Sequence, residues 1–296
     1  MPFKQHPVFE QPENEDHVVW RYYDATKFIS ILQNRGLYFN RADNYADSFE
    51  GIFPKERLER EYENALFNKK TTEMLVLEGI LPEGLDDRTP KEGMFEIIQR
   101  LRRRSYLNCW HMNNSESMAM WQAYLTAGDG VLVKSTYSKL KSAVDIHDQH
   151  TYRMGKVDYL PWLDEDVEEE LDERERNNWF YPFMYKQEEY EYEKEVRVVV
   201  DKGPVDSKDE LKSGFFVKTD LNELIDSVIV SPNAPPWSDL EFWKDILRKY
   251  KLRANVERST LEITPDEIIE NIDQEEVERR VKQRLDEWRK KQDYLD

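Results

Sequence analysis

Cysteine is nearly missing from this chain: Cys109 is the only one in 296 residues. No disulfide can form within it, which is what a reducing compartment favours. Basic charge is also scarce. Against 61 Asp and Glu stand 43 Lys and Arg, a formal charge of −18. A surface that displaces counterions from duplex phosphates needs the opposite balance. The one basic run, residues 100–104 broken by Leu101, is too short to provide it. Broad nucleic-acid binding is therefore not expected. No apolar run approaches the ~20 residues that span a bilayer, and residues 1–15 lack the apolar centre of a secretion signal. A soluble, cytoplasmic, acidic protein is expected. Glycine-rich phosphate loops are missing too, with no Walker A and no dinucleotide fingerprint. Any nucleotide must be gripped by side chains and strand edges.

What is present is aromatic and charged, with enough length to bury a large core. Residues 17–23 (HVVWRYY) read as a strand. Asp24 caps a helix over 25–34 whose apolar face carries Phe28, Ile29 and Leu32, and Gly36 is placed to end it. Residues 37–39 start a short extended segment. A mostly helical insertion covers about 55–105. Strands follow at 106–111 and 131–135, separated by a helix over 118–125 and a glycine turn at 128–130. A second insertion covers about 137–180, and its acidic centre, 163–177, reads as a solvated face. Residues 193–201 form the clearest strand. Val196, Val198 and Val200 share one face; Glu195, Arg197 and Val199 share the other, with Glu193 about 7 Å from Glu195 on that same face. An αβ transition spans 221–230, and a helix spans 238–250. Thr264, Pro265 and Glu267 make a capping signature for a tail in which Val277, Val281, Leu285 and Trp288 recur at helical spacing. One α+β domain over 17–262 is expected, followed by a C-terminal helix over 263–296 that packs on the core or on a second copy.

The order of short motifs is distinctive. Trp20-Arg21-Tyr22 comes first, then Asp47-Ser48-Phe49-Glu50-Gly51, Cys109-Trp110-His111, and Glu116-Ser117 with Met120-Trp121 and Tyr124. Tyr185-Lys186 and Glu193-Lys194-Glu195-Val196-Arg197 complete the set. Over about residues 17–235 this resembles a widespread, mainly bacterial family of domains of unknown function. More distantly it resembles the ADP-ribosyltransferase fold: a strand bearing Arg21, a helix ending in Gly36-Leu37, a strand with aromatic Trp110, a short helix with Ser117 and Tyr124, a glycine-led strand at 130–133, and a last strand bearing Glu195. The resemblance implies a core of short mixed strands, NAD as substrate, and transfer or hydrolysis of ADP-ribose. A role in bacterial stress or phage defence, as a toxin-like effector, is implied by the same resemblance.

The chemistry gives each residue a part. Breaking the bond to nicotinamide builds positive charge on the ribose, and a fixed carboxylate, Glu195, stabilises it. Glu193 could orient or deprotonate an acceptor. Arg21 offers a planar fork to a diphosphate. Trp110, Trp121 or Tyr124 could stack on nicotinamide. Tyr22, His111, Ser117, Arg197 and Glu50 complete the candidate binding set. Structural roles compete for the same residues: a wet strand face for Glu193, Glu195 and Arg197, a bridge from Arg21 to Glu195 or Glu50, and core packing for Trp121 and Tyr124. Cys109 and His111 could share a strand face as a nucleophile pair, although a lone Cys there reads more readily as a small buried hydrophobe. His147 and His150, with Asp145 and Asp148, do not complete a metal site. Two other functions fit the same sequence: a non-catalytic module that holds a ligand or protein partner, and a magnesium nuclease using Asp47, Glu50, Glu193 and Glu195.

Overall fold

The computed structural model describes residues 6–80, 88–125, 128–145, 150–161, 178–203 and 212–292, with side chains described as far as Trp288. The acidic stretch 163–177 and the His147–Asp148 pair lie outside these residues.

Strand β1 (Val18–Asp24) runs into helix α1 (Ala25–Asn34) through Asp24, whose carboxylate accepts the Lys27 N–H at 2.8 Å. The helix buries Phe28, Ile31 and Leu32. Its left-handed terminal residue is Arg35 at φ 47°, one position before the expected Gly36. Gly36 instead opens β2 (Gly36–Arg41), where a Cβ would lie 2.2 Å from the Val217 carbonyl oxygen. The glycine is required by close backbone approach, not by the turn.

Helices α2 (Lys55–Leu77) and α3 (Pro90–Arg104) occupy the expected helical stretch. Then come β3 (Ser105–Met112), α4 (Met118–Tyr124), β4 (Gly130–Thr136) and α5 (Tyr137–Val144). Next are β5 (Tyr152–Lys156), β6 (Asp158–Leu160), β7 (Tyr185–Gln187) and β8 (Glu195–Asp201). The chain continues with β9 (Gly214–Lys218), α6 (Leu221–Leu224), β10 (Ser227–Val230), α7 (Leu240–Tyr250) and β11 (Asn255–Arg258). It ends in α8 (Pro265–Glu270) and α9 (Gln274–Gln292). The fold is mixed α/β with a C-terminal helical segment. That segment is two helices, not one, because Thr264 and Glu267 cap a short first piece and Asp273 restarts the second.

The main sheet runs β11-β10-β4-β1-β3-β2-β9 and is antiparallel except at β10–β11. Strand β3 is its crossroads. One edge pairs with β8 along its length, from Ser105↔Asp201 to His111↔Glu195. The other edge is divided. β2 takes Tyr106 and Leu107, and β1 takes His111 and Met112. Between them, at 108–110, β1 and β2 part and leave a notch. Asn108 spans part of it, donating to the Tyr38 carbonyl at 2.8 Å and accepting from Trp110 Nε1 at 2.7 Å. Residues 152–156, expected within an insertion, belong to the sheet as β5, antiparallel to β8.

One face of the sheet is covered by a single large core that includes Phe28, Trp110, Leu140, Val198 and Trp243. The other face carries two separate clusters. Trp20, Tyr22 and Trp121 belong to one; Leu107, Phe183 and Val199 belong to the other. The polar site lies along the strand row that joins them.

Candidate functional site

Pairing registers set Trp20, His111 and Glu195 side by side on β1, β3 and β8. Two residue pairs inward, Cys109 lies opposite Arg197. Residues 195–200 are all buried, so the face that carries Glu195 and Arg197 is not a wet strand face.

Arg197 is wholly buried, and five hydrogen bonds match its five donors. Nε and Nη2 donate to the Glu195 carboxylate at 2.8 and 2.9 Å. Nη1 and Nη2 donate to Glu50 at 2.7 and 2.8 Å, and Nη1 also donates to the Phe183 carbonyl at 2.7 Å. Arg197, expected to touch substrate, is thus the inner member of an ion triad, and Glu50 is its outer partner. The bridge foreseen for Arg21 is made by Arg197. The Asp47–Gly51 turn exists to deliver Glu50. The Asp47 side chain accepts the Phe49 N–H at 2.8 Å, and Gly51 takes φ +74°, where an added Cβ would strike the Phe183 ring at 2.5 Å.

Glu193 is not on the strand. A 3-10 turn ends at Glu193, Lys194 is left-handed at φ 39°, and β8 begins at Glu195. The period-two argument therefore fails, yet the two carboxylates still meet through a third residue. Lys186 Nζ lies 2.5 Å from Glu193 Oε2 and 3.8 Å from Glu195 Oε2. The environments push the pair apart. Burial raises Glu195, but Arg197 and Lys186 overturn that and hold it down at about 2. Burial and the Glu195 charge raise Glu193 against the pull of Lys186. Burial also raises Glu50, to about 7, despite Arg197. Tyr159 completes the Glu195 surroundings by accepting its N–H at 2.8 Å.

Cys109 sits 3.5 Å from the Tyr45 hydroxyl, with the Glu195 charge nearby. Burial and that neighbouring charge push its thiol well above the usual range. A thiol held protonated is no nucleophile. His111 is buried with Nδ1 against the Glu193 carbonyl at 2.5 Å. Burial lowers its pKa, so Nδ1 carries the proton and donates. That leaves Nε2 as a buried acceptor without a partner among the described residues.

Arg21 is the counterpart of Arg197. It projects at the notch, its guanidinium 5.2 Å from the Tyr23 ring centre and 5.8 Å from that of Trp110. Among the described residues neither its buried Nη1 nor the buried Tyr23 hydroxyl has a hydrogen-bond partner. Burial raises the Tyr124 phenol well above its ordinary range, and the negative charges of Glu193 and Glu195 raise it further.

The remaining candidates divide. Tyr22 and Tyr124 stack at 6.3 Å, with Tyr124 44% exposed at the rim. Trp121 and Trp110 are core residues and offer no face to a ligand. Ser117 is the N-cap of α4 and its N–H donates to the Tyr22 hydroxyl at 2.8 Å. Lys186, Tyr45, Tyr159 and Glu116 were not assigned roles from sequence. Lys186, inside the Tyr185-Lys186 motif, and Glu116, inside the Glu116-Ser117 motif, carried a signal; Tyr45 and Tyr159 carried none. Glu116 accepts from Trp121 Nε1 at 3.0 Å, from Ser259 Oγ at 2.7 Å and from Thr260.

Among the described residues no group of His, Cys, Asp and Glu is arranged to hold a metal ion. Arg197 and Lys186 already supply the positive charge between the carboxylates that a nuclease would take from magnesium. Among the described residues no helix is long and apolar enough to cross a membrane. Comparison with protein-family models, with curated proteins and with solved structures finds no match.

Proposed function

We propose that this chain cleaves the nicotinamide–ribose bond of NAD, passing ADP-ribose to water or to another acceptor. The observation that carries this reading is the pair of buried carboxylates, Glu193 and Glu195, joined by Lys186 at the start of β8. As nicotinamide departs with the bonding electron pair, the ribose becomes cationic. The ionised Glu195 carboxylate stabilises that cation. Glu195 is held permanently ionised, while Glu193 has the raised affinity for protons that suits a base for the acceptor hydroxyl. Two carboxylates driven to opposite protonation states are the usual signature of such a division of labour. Arg21 grips the diphosphate, the neutral His111 Nε2 accepts a ribose hydroxyl, and Tyr124 over Tyr22 stacks the nicotinamide.

One observation favours a non-catalytic reading, in which the same locus holds a ligand without turning it over. Arg197 engages Glu195 and Glu50 on both oxygens each, as a structural tie does.

The test is nicotinamide release from NAD by the purified protein, beside Arg21→Met and Glu193→Gln. These two changes leave the Arg197 triad whole, so loss of activity in a variant with unchanged circular dichroism reports on chemistry. Release by the wild type and loss in both variants supports the enzyme. NAD binding by calorimetry without release selects the module. Neither release nor binding by the folded protein overturns both.

A further inference from the structure

The C-terminal segment carries an apolar surface that nothing among the described residues covers. On α9, Val277, Val281, Leu285 and Trp288 follow at spacings of four, four and three, which places them along one stripe. They are 38, 48, 50 and 59% exposed. Ile268, Ile269 and Ile272 just before it are exposed as well. A helix that bears a continuous stripe and has no core to bury it in is built to pack against another helix.

The charge pattern identifies which helix. In sequence, Asp273, Glu275, Glu276 and Glu278 stand at the start of α9, Arg279, Arg280, Lys282 and Arg284 follow at its middle, and Asp286 and Glu287 precede Arg289, Lys290 and Lys291 at its end. Positions equidistant from residue 283 are thus of opposite sign at 275 and 291, 276 and 290, 279 and 287, and 280 and 286. Laid parallel, two copies would bring acid onto acid and base onto base. Laid antiparallel, each acidic start meets the other copy's basic end, with Val281 opposite Leu285 at the centre. The apolar stripe is four residues long and close to symmetric about residue 283, so the same register satisfies both demands. We infer that α9 is a self-association element that pairs antiparallel with α9 of a second copy.

Such a pairing obeys two-fold symmetry, the commonest arrangement of homodimers, in which one patch serves as both partners. It is independent of the reading of the polar site.

The experiment is sedimentation equilibrium of the full chain with Leu285→Glu in parallel. The wild type is expected at twice the 35.7 kDa chain mass. Leu285→Glu, which replaces an exposed side chain and leaves the fold intact by circular dichroism, is expected to raise the dimer Kd by more than about tenfold. A monomeric wild type at tens of micromolar, or a variant that dimerises as well as the wild type, overturns the inference. Orientation is read from engineered thiols under mild oxidation. A mixture of Val277→Cys and Trp288→Cys chains is expected to give the mixed cross-linked pair, whereas efficient linking of Val277→Cys to itself would mean parallel helices and overturn the antiparallel pairing.

Discussion

Two arginines on neighbouring stretches of one sheet have opposite fates. Arg197, in the interior of β8, has its five donors matched by five hydrogen bonds from two carboxylates and a carbonyl. Arg21, on β1, lies where β1 and β2 part, packed between two aromatic rings with one nitrogen unpartnered among the described residues. A buried charge whose partners are all in place is structural. It costs desolvation and returns it through geometry, and it can bind nothing more. A charge held in position with a donor unfilled costs the fold something and is therefore informative about what comes to fill it. The acidic composition sharpens the contrast, because carboxylates are plentiful and none among the described residues pairs with Arg21.

The largest effect should come from breaking the closed side. Arg197→Met strands Glu50 and Glu195 in the core and should lower stability by about 3–5 kcal/mol, measured by urea unfolding at neutral pH. If the loss is under about 1 kcal/mol, the triad is not the tie described here.

The pH dependence of the same triad has two limbs of opposite sign. Glu195, held at about 2 against an ordinary value of 4.5, contributes stability that is present above pH 4.5 and lost as pH falls toward 2. Glu50, raised to about 7, contributes stability that is present below pH 4.5 and lost as pH rises toward 7. The cluster's contribution should therefore peak near pH 4.5. Glu50→Gln should flatten the descending limb between about 4.5 and 7 and leave the acid limb in place. Melting temperatures followed across pH 2–8 would show it, and an unchanged descending limb would assign that slope to other groups.

A subtler change touches the open side. Lys186 lowers the proton affinity of Glu193. Lys186→Met should therefore move the basic-group limb of the nicotinamide-release pH profile to higher pH. A profile that keeps its midpoint while losing amplitude would mean that Glu193 is not the titrating base.

The smallest effect on the fold should come from Arg21→Met, which keeps the stem between Tyr23 and Trp110 and removes an unfilled donor. Stability should change by less than about 1 kcal/mol, while NAD affinity by calorimetry falls about tenfold or more. Equal stability with equal affinity would remove Arg21 from the ligand.

The parts of this molecule that were legible in sequence are those written in local pattern. The β1–α1 unit could be read from HVVWRYY and Asp24, and β8 from alternating valines. The short strands β6, β7 and β11 were not legible, because three or four residues carry too little periodicity to stand out. β5 was hidden in a polar neighbourhood and exists because β8 needs a partner on its outer edge. At the site, Glu195, Arg197, Glu50 and Arg21 were all identifiable as unusual residues, but their pairing was not. Register placed Arg197 between the carboxylates, and the left-handed Lys194 lifted Glu193 off the strand. Both are decisions of tertiary structure that spacing along one strand cannot contain. Trp110 and Trp121 show the same limit, since an aromatic in a motif looks alike whether its ring faces a ligand or the core.

Glu116 ties the two ends of this description together. Its carboxylate holds the indole of Trp121 on α4 and, at the same time, Ser259 and Thr260 at the root of the C-terminal segment. α4 also positions Tyr124 at the rim of the polar site. One side chain is thus a shared fulcrum. Whatever displaces residues 259–260 acts on the helix that bears Tyr124, and by reciprocity whatever moves that helix is felt at residues 259–260.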